Sequence, residues 1–253
     1  MKIFVALKRV PHTATKIRLA AAKSRSIQAE NVEFTMSPYD EIALAEAIRI
    51  KERLGGEVTA LSLGSDEAQG ILRTALAIGA DSAIHIRAPL PTGLELDGYQ
   101  TSMAIHAVLR ERAFDLLLLG RLAVDDQSSQ VGTMVPRLLG IPSVADVVKI
   151  EPLEGRARFH HLVEGRVEVV ECQLPAAATA QKALAEARYP SVKQIMTAKK
   201  KTIECVEACL PEPALEALEL ELPPPRKAGR IVGQGPAAVP ELVRLLREEA
   251  KVL

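Results

Sequence analysis

The chain has 253 residues, 48% of them hydrophobic, with 32 basic and 32 acidic side chains. That balance gives no electrostatic case for nucleic acid or an anionic membrane as partner, and 3% aromatics with no tryptophan argue against stacking platforms for bases or sugars. Cys172, Cys205 and Cys209 are too few and too oddly spaced for a disulfide framework, which fits a reduced compartment.

The opening run Ile3–Leu7 reads as a buried strand and is too short for a secretory core. No apolar segment reaches transmembrane length, so the expectation is a soluble, cytoplasmic protein. "SPYDEIALAEAIRIKERLGG" predicts a helix. Ser37 fits the N-cap, Pro38 the first helical position, Asp40 and Glu41 the positive end of the dipole, and Gly55 the stop. "EVTALSLG" is a strand, and "SDEAQGILRTALAIGA" a helix ending at Gly79. "DSAIHI", "GYQTSMAIHAVLRERA", "DLLLLG" and "QVGTMVPRLLG" then alternate strand and helix. Strands apolar on both faces, separated by amphipathic helices, predict an α/β fold: an open, doubly wound, mainly parallel sheet.

The pattern changes after Ile141. "SVADVVKI", "ARFHHLV" and "RVEVVECQL" are strand-like, "VEGRVE" is a hairpin turn, and "PAAATA" is one more short buried strand. Beyond residue 182 the composition shifts towards Pro and Glu, and "PELVRLLREEAKVL" closes the chain as a helix with Pro240 near its start. The expected organisation is an α/β domain over 1–182 and an extended C-terminal arm over 183–253.

Ligands of open parallel sheets bind outside the carboxyl ends of the strands. That rule points to residues 6–9, 37–40, 63–65 and 120–131. The last stretch, "GRLAVDDQSSQV", joins an all-apolar strand to a helix, and free amides near Ser128 to Val131 suit a phosphate. A capped loop without a ligand accounts for the composition equally well, because no GxGxxG or Walker lysine accompanies it. His160 and His161 are adjacent, so on a strand they face opposite ways and cannot share a metal. Cys205 and Cys209 have helical spacing but no second ligand pair. His85 and His106 are isolated. These residues offer no acid/base pair and no metal set, which suggests a binding or carrier protein.

Five motifs in order resemble the β subunit of electron-transfer flavoprotein. They are "VALKRVP", "SPYDEIALAEAIRIKE", "ILRTALAIGADSAIHI", "LLLLGRLAVDDQSSQVGTMVPRLLGIP" and "ARYPSVKQIMTAKKKTIE". The resemblance implies an adenine-nucleotide-binding (HUP-like) sheet with a β-hairpin and an arm that wraps an α subunit. It implies a non-enzymatic electron carrier in which the α subunit holds most of the redox FAD and the β subunit binds AMP structurally. Electrons then pass from soluble dehydrogenases, such as those of fatty acid oxidation acting on acyl-CoA, to a membrane quinone oxidoreductase. The AMP site carries over to Ala6, Ser37, Pro38, Tyr39, Asp40, Leu63, Gly120, Arg121, Asp125, Asp126, Gln127, Ser128, Ser129, Gln130 and Val131. Leu184, which has no evident core of its own, aligns with the leucine that anchors partner dehydrogenases. Ser37, Ser129 and Val131 depart from the family's usual Asn, Asn and Thr. "SQVG" also resembles relatives that hold a second FAD in place of AMP and bifurcate electrons, although "VDDQ" lacks their loop start. A stress or signalling protein that binds ATP on the same superfold explains the loop but not the motif over 188–201. An adenylating enzyme would need a Gly-rich loop in place of "KRVPHT".

Overall fold

The computed structural model describes residues 1–21, 24–88, 96–225 and 228–253. In chain order the strands are β1 (Lys2–Ala6), β2 (Arg9–Pro11), β3 (Phe34–Met36), β4 (Glu57–Gly64), β5 (Ser82–Arg87), β6 (Leu116–Gly120), β7 (Ser143–Leu153), β8 (Arg156–Val163), β9 (Arg166–Gln173), β10 (Ala176–Ala180) and β11 (Glu204–Glu207). The helices are α1 (Pro38–Leu54), α2 (Gln69–Ile78), α3 (Gly98–Leu109), α4 (Val131–Leu139), α5 (Val192–Ala198) and α6 (Val239–Glu248). Two compact units divide between Leu220 and Glu221.

The first unit is built on one nine-stranded sheet in the order β11-β5-β4-β1-β6-β10-β7-β8-β9. Seven strands from β11 to β7 pair in parallel, and β7, β8 and β9 form an antiparallel meander. Both faces are covered, as the doubly apolar strands require. Ile3, Val5, Val58 and Ala60 pack with α1 and α2 residues such as Leu44, Ile48 and Leu72. Phe4, Leu61, Leu117 and Leu119 pack with Ile105 and Leu109 of α3 and Val135 of α4. The result is the expected mainly parallel, doubly wound α/β architecture.

Local chemistry explains the element ends. Pro38 occupies the start of α1 and Gly55, at φ 74°, ends it. Ser37 sits at the N-cap, yet its side chain makes no cap hydrogen bond. Glu164 and Gly165, both at positive φ, turn β8 into β9. The short alanine-rich β10 lies between β6 and β7, fully buried along its length.

Three features differ from the sequence expectation. Glu204–Glu207 is not arm but an edge strand paired in parallel with β5. Cys205 therefore lies on a strand and not at helical spacing with Cys209. Leu184 is 3% exposed and belongs to the larger hydrophobic core, in a turn closed by its N–H donating to the Gln181 carbonyl (2.9 Å). The apolar side chains turned outwards lie further on: Tyr189 is 86% exposed, Val192 75% and Met196 64%. In the second unit, α6 is strongly amphipathic in sequence but has no buried residue.

Candidate functional site

β1 pairs with β4 on one side and β6 on the other, so the strand order reverses at β1. A reversal of this kind opens a crevice at the carboxyl ends of the strands. The residues picked from sequence converge there. Ala6 ends β1, Leu63 lies at the end of β4, Gly120 ends β6, and Ser37–Asp40 form the start of α1. Ala6 belongs to one apolar cluster, against which Leu63 and Val131 also pack.

Asp40 is the joint of this arrangement. One carboxylate oxygen accepts the Lys8 N–H (2.7 Å) and the other accepts the Gly120 N–H (3.0 Å). A single buried side chain thus ties the end of β1, the first turn of α1 and the end of β6. Burial pushes its carboxyl up to about 7 against the opposing pull of those two amides. Gly120 has no room for a side chain, since a Cβ there would lie 2.3 Å from Asp40 Oδ1 and 2.9 Å from Tyr39 Cβ. Pro38 and Tyr39 are half-buried, and Ser37 is fully buried. Among the described residues the Ser37 hydroxyl has no hydrogen-bond partner.

The loop itself is held by charge. Lys8 Nζ lies 2.7 Å from Asp125 and 3.1 Å from Asp126. Asp125 also accepts the Asp126 N–H (2.9 Å), and Asp126 accepts the Ser128 N–H (3.0 Å). Burial raises the Asp126 carboxyl, but the Ser128 amide and Lys8 outweigh it and leave it below the usual range. The two aspartates are therefore committed to the loop and to Lys8. Gln127 and Ser129 adopt positive φ (52° and 54°). Such alternation turns successive backbone N–H groups towards one side, and α4 begins directly after it. The N-cap of α4, Gln130, contributes no side-chain cap, so the first-turn amides are not capped by it.

Arg121 points into a different set of contacts. Its N–H donates to the Ala180 carbonyl (3.1 Å), and its guanidinium lies 2.9 Å from Asp146 of β7. Lys8, inside the motif "VALKRVP", is the residue whose pairing with the loop the sequence did not show. The available signal was a Lys-Arg pair just past a strand end, with an Asp-Asp pair in the loop after another strand. A separate cavity, lined by Arg9, Phe34, Met36, Glu41, Glu67 and Thr74, lies between the paired strands β2 and β3 and helices α1 and α2. Among the described residues, no cluster of three or more His, Cys, Asp or Glu is placed to hold a metal ion. No described helix is long and apolar enough to cross a membrane.

The family model described as the electron transfer flavoprotein domain matches residues 26–211. That span contains α1, the loop 120–131 and every sheet strand from β4 to β11. The chain belongs to the electron transfer flavoprotein family. Relatives matched over the whole of this chain include β subunits. The electron transfer flavoprotein subunit beta of Bacillus subtilis (strain 168) is 40% identical over 261 residues, covering 100% of both chains. The mitochondrial subunit beta of Arabidopsis thaliana is 36% identical over 265 residues, again covering both chains completely. That of Mus musculus is 35% identical over 258 residues, covering 100% of this chain and 99% of its own. The crevice at the β1–β6 reversal is thus the sheet-end crevice of an electron transfer flavoprotein β subunit.

Proposed function

We propose that the chain pairs with an electron transfer flavoprotein α subunit, binds AMP in the loop 120–131, and presents the docking surface for partner dehydrogenases. The redox FAD is held mainly by the α subunit. Electrons pass from soluble dehydrogenases, acyl-CoA dehydrogenases among them, towards a membrane quinone oxidoreductase. The observation that carries the nucleotide reading is the loop geometry. Positive φ at Gln127 and Ser129 leads directly into the α4 N-terminus, which favours an anion. Lys8 offsets part of the charge of Asp125 and Asp126. Ala6, Leu63 and Val131 offer an apolar surface for a base. The buried, unpartnered Ser37 hydroxyl leaves a polar group for the ligand to satisfy. These residues fit AMP without a metal, and they supply binding and no redox chemistry.

Co-purification with the co-encoded α subunit tests this reading. Denaturing the yellow complex should release one FAD and one AMP. Two FAD and no AMP would show instead that the crevice holds a second flavin, the alternative that "SQVG" suggests. ATP turnover by the chain alone would point to the stress-protein reading.

The docking surface follows from exposure. Tyr189, Val192, Ile195 and Met196 are exposed, and the segment that carries them is pinned at several points. Arg188 makes two bonds to Glu52 (2.7 and 2.8 Å), Arg73 donates to the Ala198 carbonyl (3.0 Å), and Lys201 donates to the Ala80 carbonyl (2.8 Å). Apolar side chains held outwards on a fixed frame fit a partner's pocket. The docking role therefore moves from Leu184 to this face, with Leu184 as its buried support. Val192→Ser with Met196→Ser should slow electron transfer from a dehydrogenase roughly tenfold or more, from the burial energy of two apolar side chains. Thermal stability should hardly change. Leu184→Ala should instead cost about 2–5 kcal/mol of stability, with transfer per folded molecule preserved. The opposite pattern would restore Leu184 as the anchor.

A further inference from the structure

Asp97 stands just before α3 and carries more than a cap. Its Oδ1 accepts the Gln100 N–H (2.7 Å), which closes the first turn of the helix. Its Oδ2 accepts the N–H groups of Ala214 (2.5 Å) and Leu215 (2.8 Å). Those two residues lie beyond β11, where the chain leaves the sheet. A second tie runs in parallel, from the Gln100 side-chain amide to the Pro211 carbonyl (2.9 Å). The same turn of α3 also meets the loop 120–131. A Cβ on Gly98 would fall 2.3 Å from Gln130 Oε1 and 3.1 Å from Gln130 Cβ, so the Gln130 side chain lies directly against Gly98. One short turn is therefore in contact with the α4 N-cap on one side and with the departing chain on the other.

Only a carboxylate can hold this junction in this form. Three backbone donors converge on two oxygens, and an ionised acceptor strengthens each bond. A serine could cap the helix but could not also reach the arm. An asparagine would turn an N–H donor towards other donors. Burial raises the Asp97 carboxyl, yet the amides of Gln100, Leu215 and Ala214 outweigh it and hold it below the usual range. Without this tie, residues 212–215, all exposed, have little to fix them beyond the Gln100 bond to Pro211.

We propose that Asp97 is a positioning residue for assembly: it latches residues 211–215 to the first turn of α3, sets the path on which the chain continues towards its partner subunit, and couples that path to the nucleotide loop through Gln130. The latch stands on the contacts above, and the coupling to nucleotide rests on the reading of loop 120–131 as the AMP site. By linkage, a nucleotide that steadies Gln130 steadies the latch, and a formed latch favours nucleotide binding by the same factor.

The test compares the full chain with its Asp97→Ser variant by hydrogen exchange, with and without added AMP. Serine keeps the α3 cap and removes the arm contacts. Exchange in residues 211–216 should rise about tenfold or more in the variant, while α3 stays protected. AMP should increase protection over 120–131 in both proteins but over 211–216 only in the wild type. The α subunit should bind the variant roughly tenfold more weakly. Unchanged exchange over 211–216 in the variant overturns the latch. AMP protection confined to 120–131 in the wild type overturns the coupling. No AMP effect over 120–131 in either protein overturns the nucleotide reading, and the coupling with it. The latch is still decided by the comparison without AMP.

Discussion

Gly132→Ala is expected to lower the stability of the chain by about 1–3 kcal/mol, and Thr179→Ser in the same chain to recover most of that loss. Gly132 is the second residue of α4 and is buried against β10. A Cβ there would lie 2.5 Å from Thr179 Cγ2. Thr179 cannot swing aside freely, because its Oγ1 accepts the Asp146 N–H (3.0 Å). Serine keeps that acceptor and drops the methyl, so the helix can approach again. Urea denaturation of the two single variants and the double variant measures the coupling. An equal loss from Gly132→Ala in both backgrounds would mean that the close approach at Thr179 is not the cause. Bulky replacements at Gly132 should lose nucleotide as well, as a consequence of displacing α4 and with it the loop that ends at Val131.

A second large effect concerns pH. Asp40 has a carboxyl raised from 3.8 to about 7 by burial. The folded chain then binds a proton that the unfolded chain has already released between those two values. Stability from this group is present below about pH 4 and is lost as pH rises towards 7. The full span corresponds to on the order of 4 kcal/mol. Asp40→Asn removes the titration, at the expense of one of the two amide contacts from Lys8 and Gly120. The unfolding midpoint of the wild type should therefore fall between pH 4 and pH 7 relative to that of the variant. Parallel curves for the two proteins would show that Asp40 does not titrate in this range.

Much of the fold was legible because its signals are long and redundant. α1 combines Pro38, an acidic first turn, 17 residues of apolar periodicity and Gly55. β4 was bounded by Gly56 and the Gly64–Ser65 turn. The elements missed are short. β2 and β3 have three residues each and β11 has four, with a charged residue at either end. An alternating Glu-Cys-Val-Glu is no more strand-like than loop-like until β5 offers it an edge. Leu184 illustrates a different limit. Its neighbours Ala183 and Ala185 look like surface, and only the turn after β10 folds it back into the core. The site was legible as strand ends, since parallel sheets fix where strand ends gather. Asp40 was read as a dipole partner, and its role as the joint of three segments needed the sheet order. Lys8 fell within the marked stretch 6–9, but its ion pairs went unread for the same reason, because the separation from Asp125 and Asp126 is bridged only when β1 and β6 are neighbours.

The position of β10 has a consequence for how the chain is made. It pairs with β6 on one side and β7 on the other, yet it is synthesised after the whole β7–β8–β9 meander. Until residue 180 has left the ribosome, β6 and β7 each present an unpaired edge with nothing to join them. A growing chain stopped anywhere between the end of β9 and Ala180 would hold two half-sheets with open sides. Such a nascent chain is exposed to mispairing for as long as it waits. The five residues of β10, four alanines and one threonine, are small enough to fit the gap between those two strands once they are in place.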